Sequence, residues 1–345
     1  MNNFIENDKN LWNKIYKDYI QNTYDDIYYE YDYCSLYLDK NSELCLFYNQ
    51  DKEQKFFFPF IKKKILNTPY FDFESPYGYS GPLVNTEDKI FIENSLKIFI
   101  EESKKRNIIA GIIRSNPFYN NFIKSNNSTI NILKSSPIVY LKNNVKNIKQ
   151  YYSNNLISKI KKGKKEGVKV LVGNSSDDVK CFYNIYSKLM LSKDADKEYF
   201  FSEDYFSKIF SIDKSKWKIF IVSLNNNPIG GGIVFENSNF FNIHLTASLI
   251  DYRNFHPNEI LRDFIIERFS ISASKIINFG GGKTGSLDDS LLKFKLKFSE
   301  LTTNYNIYGL VVAPNIYAQM ISSSFIKPES KFFNYFLKYR YSNVG

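Results

Sequence analysis

Residues 217–248, "WKIFIVSLNNNPIGGGIVFENSNFFNIHLTAS", constrain the fold more than any other stretch. Three apolar runs are separated by "NNNP" and "ENSN", both clusters of turn-forming residues. Strand-length runs joined by such short turns predict a three-stranded antiparallel meander. The elements around it alternate in kind. "GVKVLVG" (167–173) predicts a strand. "DVKCFYNIYSKLML" (178–191) predicts a helix with Val179, Phe182, Ile185, Tyr186 and Leu189 at helical spacing, and a second helix follows near 203–211. After the meander a helix begins at Pro257, a residue favoured at the first helical position, and carries Ile260, Leu261, Phe264 and Ile265. A strand over 276–279, a helix through Lys295 and the strand "YNIYGLVVA" (305–313) complete the order β-α-α-β-β-β-α-β-α-β.

The first half partly repeats that order. Runs near 33–38, 43–48 and 55–61 predict a second meander, which "YFDF" (70–73) extends. "TEDKIFIENSLKIFIEESKK" (86–105) predicts a helix with Ile90, Ile92, Leu96, Ile98, Phe99 and Ile100 on its core side. "IIAGIIR" (108–114) reads as a buried strand, "YNNFIK" as a short helix and "SPIVYLK" (136–142) as another strand. Two domains also suit a chain of 345 residues. The lysine-rich helix over 145–165 predicts the boundary, giving domains 1–150 and 151–345. The expected fold class is α/β of the α+β kind: two tandem domains, each a mixed, largely antiparallel sheet flanked by helices.

Within the second domain, "INFGGGKTGSLDDSLLKFKLKFSE" (277–300) imitates a phosphate-binding P-loop. That loop needs a glycine five positions before its Gly-Lys-Thr, so that backbone N–H groups wrap a phosphate. Ile277 stands there instead. What remains is a strand, the glycine turn Gly280-Gly281-Gly282, and a helix with Leu291, Leu292, Phe294 and Phe298 on one face. Ser286, Asp288 and Asp289 suit its cap and first turn.

Charge and cysteine usage narrow the setting. There are 46 basic and 36 acidic residues, a net charge of +10, which suits anionic partners such as nucleotide-sugars, coenzyme A, tRNA or acidic lipid headgroups. Lysine supplies most of it, with only six arginines. Cys34, Cys45 and Cys181 fall in apolar contexts without metal or redox spacing and predict buried thiols in a reducing compartment. The start "MNNFIENDKN" lacks a signal-peptide pattern, and no apolar stretch nears the roughly 20 residues that cross a bilayer. The expectation is a cytoplasmic protein with at most peripheral membrane contact.

The element order is shared with the GCN5-related N-acetyltransferase (GNAT) fold, and four segments sharpen the likeness. "YFDFESPYGYSGPL" (70–83), "IRSNPFYNN" (113–121), "ISKIKKGKKEGVKV" (157–170) and "INFGGG…SLLKFKLKF" (277–298) resemble those of Fem-type (FemABX) aminoacyltransferases. They resemble still more closely the Fem-like GNAT proteins found with bacterial surface-polysaccharide genes. The likeness runs over roughly residues 10–315. One departure is that 157–165 carries lysines where many relatives have arginines, which weakens bidentate phosphate clamping there. The resemblance implies an enzyme that transfers an activated acyl or aminoacyl group, usually onto an amine, in building the cell envelope. It makes 1–150 the acceptor-side domain and 151–345 the transfer domain.

The donor stays open. Fem enzymes use aminoacyl-tRNA, whereas ordinary GNAT enzymes bind acetyl-CoA through a Gln/Arg-x-x-Gly-x-Gly/Ala loop. Here "ASLIDYRNFHPN" (247–258) occupies that place. No cofactor is expected to be tightly bound; acyl-CoA, an acyl carrier protein or aminoacyl-tRNA serves as co-substrate. The absence of a sustained heptad arm favours a small donor over tRNA. The expected acceptor is the amine, or a hydroxyl, of a nucleotide-linked or lipid-linked sugar. The alternatives are an aminoacyl-tRNA-dependent peptidoglycan-bridge transferase and a non-catalytic carbohydrate-binding protein.

Acyl transfer needs a neutral nucleophile, a stabilised oxyanion and a protonated leaving group. Lys295, set between apolar helix positions, is the candidate for the oxyanion; the plain alternative is a solvated lysine, as Lys293 and Lys297 are expected to be. His244, alternating within a strand, reads as a core histidine or as a catalytic base, and His256 as a surface residue. Gly280, Gly281 and Gly282 either approach a substrate closely or form a tight turn that binds nothing, with Lys283 and Thr284 beside them for a phosphate. Tyr77 and Tyr79 sit in a Pro/Gly loop that either faces the acceptor or is a structural turn. Arg114, at a strand end, reads as an anion clamp or as half of an ion pair. Two histidines and three scattered cysteines predict no metal site. With no Gly-x-Ser-x-Gly elbow either, direct attack by the acceptor amine is the expected route.

Overall fold

The computed structural model describes residues 3–20, 25–119, 130–144, 147–195 and 199–342. Contacts group the chain into two units, residues 1–23, 28–136 and 304–345 in one and 24–27 with 137–303 in the other.

The first unit opens with β1 (Phe4–Glu6), α1 (Lys9–Ile20), a short α2 (Tyr31–Ser35), β2 (Ser42–Asp51) and β3 (Gln54–Lys64). Next come β4 (Phe71–Glu74), β5 (Leu83–Val84), α3 (Lys89–Lys105) and β6 (Ile108–Arg114). Strands β2 and β3 form a long antiparallel hairpin from Ser42↔Lys63 to Asp51↔Gln54. A parallel ladder then joins β4 to β6. The strand expected near 33–38 is instead the helical α2. Helix α2 buries Tyr33 and Cys34, and the turn after it brings the Tyr37 ring to 5.4 Å from that of Tyr33. In α3, Asp88 caps the helix by accepting from the N–H groups of Ile90 and Phe91. The core face is therefore Phe91, Ile92, Ser95, Leu96, Phe99 and Ser103, while Ile90, expected inside, is 72% exposed. The short helix expected over "YNNFIK" (119–124) lies almost wholly outside the described residues.

The second unit runs from within β7 (Ile130–Lys142) through α4 (Asn154–Lys165), β8 (Val168–Gly173), α5 (Ser176–Ser192) and α6 (Glu203–Ser211). The meander follows as β9 (Trp217–Leu224), β10 (Asn227–Glu236) and β11 (Phe240–Ser248), then α7 (Pro257–Ser270), β12 (Ile276–Gly281) and α8 (Ser290–Leu296). Every element expected over 167–300 is present in the expected order. Ser175 and Asp178 form a capping box at the start of α5. Helix α7 buries Ile260, Leu261, Arg262, Asp263, Ile265, Ile266 and Phe269, nearly its whole circumference, as a helix packed on all sides does. One core joins α7 to Val222 of β9, Phe241 of β11, Phe279 of β12, and Leu292 and Phe298 around α8.

The chain ends with β13 (Thr302–Val311) and α9 (Pro314–Ser322), and it returns to the first unit instead of completing the second. Ile307–Val311 of β13 pairs with Ala110–Arg114 of β6. Arg340 then donates to the buried Asp72 of β4. A single cut near 145–165 does not describe this grouping. Among the described residues no helix is long and apolar enough to cross a membrane.

Candidate functional site

Strands β11 and β12 are parallel, and their ladder is short. It comprises Phe240↔Ile276, Phe241↔Ile277 and Asn242↔Asn278, and there it stops. On its other edge β12 pairs with β7 from Ile276 to Gly281, through a bulge between Asn278 and Gly280. On the other side β11 stays with β10, where Ile243 faces Val234 and Leu245 faces Ile233, so His244 is the extra, bulged residue. Two bulges facing a ladder that ends is the way a sheet opens beside a site. At the fork the Asn278 side chain accepts from Gly280 N–H at 2.8 Å and donates to Asn242 Oδ1 at 3.1 Å. Asn242 Nδ2 is buried with no hydrogen-bond partner.

The glycine turn closes the β12 arm. Gly280 has φ 72°, a conformation that favours glycine. A Cβ on Gly282 would stand 2.6 Å from Asp289 Cγ, so the third glycine makes room for that carboxylate. Asp289 organises the loop. Its Oδ2 accepts from the N–H groups of Lys283 at 2.9 Å and Thr284 at 3.0 Å, and its Oδ1 from those of Leu291 at 2.8 Å and Leu292 at 3.0 Å. Burial raises the Asp289 pKa, but these four donors outweigh it and hold the carboxyl well below the usual range. The backbone amides that a P-loop offers to phosphate are here taken by the chain's own aspartate. The Lys283 side chain is exposed, and its backbone N–H is already committed.

Lys295 belongs to the same assembly. It is 7% exposed, and its Nζ donates to the Gly281 carbonyl at 2.7 Å. Burial pushes its pKa down to about 7, helped by the charge of Arg262 and opposed by Asp289. It makes no ion pair with a described carboxylate. Lys293, by contrast, is exposed beside Asp288, and Lys297 is exposed. Arg262 of α7 is 2% exposed and lies with Cζ 5.0 Å from the Phe294 ring centre, one residue before Lys295. Its Nε is buried without a hydrogen-bond partner.

His244 is held differently. Its Nε2 lies 2.7 Å from Tyr205 Oη of α6, and its ring packs 4.5 Å from that of Phe235. Burial pushes its pKa down to about 3, so the ring is neutral near pH 7 and a weak base.

The remaining candidates lie in the first unit. Arg114 donates to Glu74 Oε2 at 3.0 Å and to the Ser75 carbonyl at 2.7 Å. Burial disfavours its charge, yet Glu74 holds its pKa above the ordinary value. Its guanidinium is thus half of an ion pair with Glu74. The loop bearing Tyr77 and Tyr79 is fixed through its backbone: Tyr33 Oη donates to the Tyr77 carbonyl at 3.0 Å, Tyr29 Oη to that of Tyr79 at 2.8 Å and Tyr305 Oη to that of Gly78 at 3.2 Å. Both tyrosine side chains remain partly exposed. Cys34 and Cys45 are buried, but Cys181, expected inside, is partly exposed. Among the described residues no three His, Cys, Asp or Glu side chains are grouped to hold a metal ion.

The structure therefore brings Gly280, Gly281, Gly282, Lys283 and Lys295 together, while His244 turns to Tyr205. Sequence reasoning passed over Asn242, Asn278 and Arg262, and took Asp289 only as a cap. For Arg262 a signal existed: one of six arginines, inside the apolar run "ILRDFII".

Comparison with known proteins locates the fold. No protein-family model and no curated protein matches the chain. Among solved structures, that of FemX covers 92% of this chain and 99% of its own at 11% identity, with a TM-score of 0.69. L-PGS from Bacillus licheniformis covers 87% of this chain and 91% of its own at 11% identity, with a TM-score of 0.58. The C-terminal domain of a putative lysylphosphatidylglycerol synthetase from Agrobacterium fabrum covers 83% and 90% at 11% identity, with a TM-score of 0.52. The chain has the fold of these proteins, with FemX matched over nearly the full length of both chains.

Proposed function

We propose that this chain is a Fem-like transferase that moves an aminoacyl group from an activated ester onto an amine, with Lys295 meeting the oxyanion. The observation that carries this reading is the state of Lys295. It is buried without an ion pair to any described carboxylate, it donates to the Gly281 carbonyl at the end of β12, and burial brings its pKa down to about 7.

A neutral acceptor amine attacks the acyl carbon, a C–N bond forms, and the carbonyl electron pair moves to oxygen. The Lys295 ammonium offsets that negative charge. Collapse breaks the bond to the donor oxygen, and the proton shed by nitrogen ends on the departing alkoxide. A lysine that gains and loses a proton near pH 7 suits both the charge stabilisation and the proton movement.

For the donor, likeness to FemX over nearly the full length of both chains supports aminoacyl-tRNA over acyl-CoA. For the acceptor, the Fem resemblance supports the amine of a peptidoglycan precursor over a nucleotide-linked or lipid-linked sugar. That ordering reverses the one suggested by the polysaccharide-associated relatives.

The test offers aminoacyl-tRNA or acetyl-CoA as donor, and a nucleotide-linked peptidoglycan precursor or an amino-sugar nucleotide as acceptor, with products read by mass. Transfer from aminoacyl-tRNA to the precursor is expected, falling on the order of 10²–10³-fold in Lys295→Met. Transfer from acetyl-CoA alone, or to the amino sugar alone, restores the sugar reading. Undiminished transfer by Lys295→Met removes Lys295 from the mechanism.

A further inference from the structure

Arg262 is a buried cation with no ion-pair partner among the described residues. Its neighbour in sequence, Asp263, is 1% exposed and is met by Lys149 at 2.6 Å and Lys164 at 2.8 Å. Arg262 is nearly as buried, yet it makes no ion pair with a described carboxylate and its Nε has no hydrogen-bond partner. A guanidinium kept from water on those terms costs stability, since burial of a charge is repaid only by close pairing and hydrogen bonding. Burial pushes its own pKa down to about 10, with Glu259 in opposition. What it does touch is the ring of Phe294, the residue beside Lys295.

We propose that Arg262 is a positioning residue acting through Lys295: its cation stands on the flank where a carboxylate would otherwise pair the lysine, leaving that amine unpaired and directed at the glycine turn. The proposal rests on the reading of Lys295 given above. The charged groups facing Lys295 are Arg262 from α7 and Asp289 from the start of α8, while β12 presents the Gly281 carbonyl. Asp289 cannot easily serve as the missing partner, because both of its oxygens are engaged by backbone N–H groups. Arg262 adds to the effect of burial on Lys295, so the two cations share one poorly solvated site.

The experiment needs no substrate. With ¹³C-labelled lysine, the Lys295 Cε signal, assigned by its loss in Lys295→Met, is followed against pH. Arg262→Met fills a similar volume without charge, and Arg262→Lys keeps the charge. The Lys295 midpoint should rise by on the order of one unit in Arg262→Met and stay low in Arg262→Lys. Thermal stability of Arg262→Met should equal or exceed that of the unaltered chain, as when an ill-paired buried charge is replaced by an apolar side chain. An unmoved midpoint in Arg262→Met overturns the proposal. So does loss of folding in that variant, which would make Arg262 a structural tie. Failure of Lys295 as the transfer residue is read separately, in the transfer assay, and leaves these midpoints where they are.

Discussion

Arg114 and Arg340 in the first unit, and Arg262 and Lys295 in the second, are all cations drawn largely out of water. The first pair is matched by acids. Arg340 grips Asp72, Arg114 holds Glu74, and Lys63 also donates to Glu74. Burial raises the Glu74 pKa, but Arg114, Lys63 and Arg340 together hold it well below the carboxylate range. In the second pair, no described carboxylate pairs with either cation, and both pKa values fall with burial. Matched charges bind the chain's end to its beginning. Unmatched charges leave room for an anion, and the oxyanion of the proposed acyl transfer is one that would fit.

The largest effect should follow from unmatching the first unit. Arg340→Met leaves Asp72, whose side chain is 0% exposed, without its cation. Breaking a buried pair from one side costs roughly 3–5 kcal/mol. Chemical denaturation should show that loss, and Asp72→Asn combined with Arg340→Met should recover most of it. A loss below about 1 kcal/mol would mean that the pair behaves as a surface one and that the contrast between units fails.

In the second unit the sign should reverse. The Lys295 midpoint in the folded chain, about 7, lies below its ordinary value of 10.5. Between those values the unfolded chain holds a proton that the folded chain releases, so stability rises with pH across that window. Below about pH 7 the full penalty of the buried lysine is present; above about pH 10.5 it is gone. Lys295→Met should therefore stabilise the protein by roughly 4 kcal/mol at pH 7, with the gain shrinking toward zero near pH 10.5. Denaturation curves at pH 7, 8.5 and 10 decide it. A difference that ignores pH would mean that Lys295 titrates like an exposed lysine.

Much of this fold was legible because local pattern and final structure agree. The meander of 217–248, the proline-started α7 and the helix carrying Leu292 and Phe298 follow from periodicity and turn residues. Sequence misled where two periods fit one short run, as at Tyr33 and Cys34, or where a cap fixed the phase, as Asp88 did in turning Ile90 outward. The candidate site was half legible. Lys295 stood out between apolar neighbours, and Gly280–Gly282 marked the turn. Arg262 became meaningful only when α7 placed it against Phe294, and Asn242 only when the ladder to Asn278 ended there. The return of 304–345 to the first unit depends on Ile307–Val311 finding β6, a pairing no local signal carries. Arg114 stood out by its isolation among lysines, but its partner Glu74 lies 40 positions away, beyond the reach of any local signal.

The smallest effect tests whether Lys295 differs from its neighbours at all. Lys293 is 59% exposed and pairs with Asp288, which is 93% exposed; such pairs contribute about 0–1 kcal/mol. Lys297 is exposed, with its Nζ 5.3 Å from the Phe294 ring centre, a contact that contributes roughly 0.5–1 kcal/mol. Lys293→Met and Lys297→Met should thus change stability little and leave transfer within about twofold, far short of the 10²–10³-fold loss from a missing oxyanion donor. All three substitutions delete the same charge in or beside the seven-residue helix α8, so net charge and helix propensity are controlled. What differs is where the ammonium stands: beside Asp288 in water, over the ring of Phe294, or buried against the Gly281 carbonyl. Comparable losses of transfer at all three positions would mean that a diffuse positive surface attracts the substrate. A loss at Lys295 alone, with a pH-dependent stability gain in the same variant, would tie the unmatched charge to the chemistry.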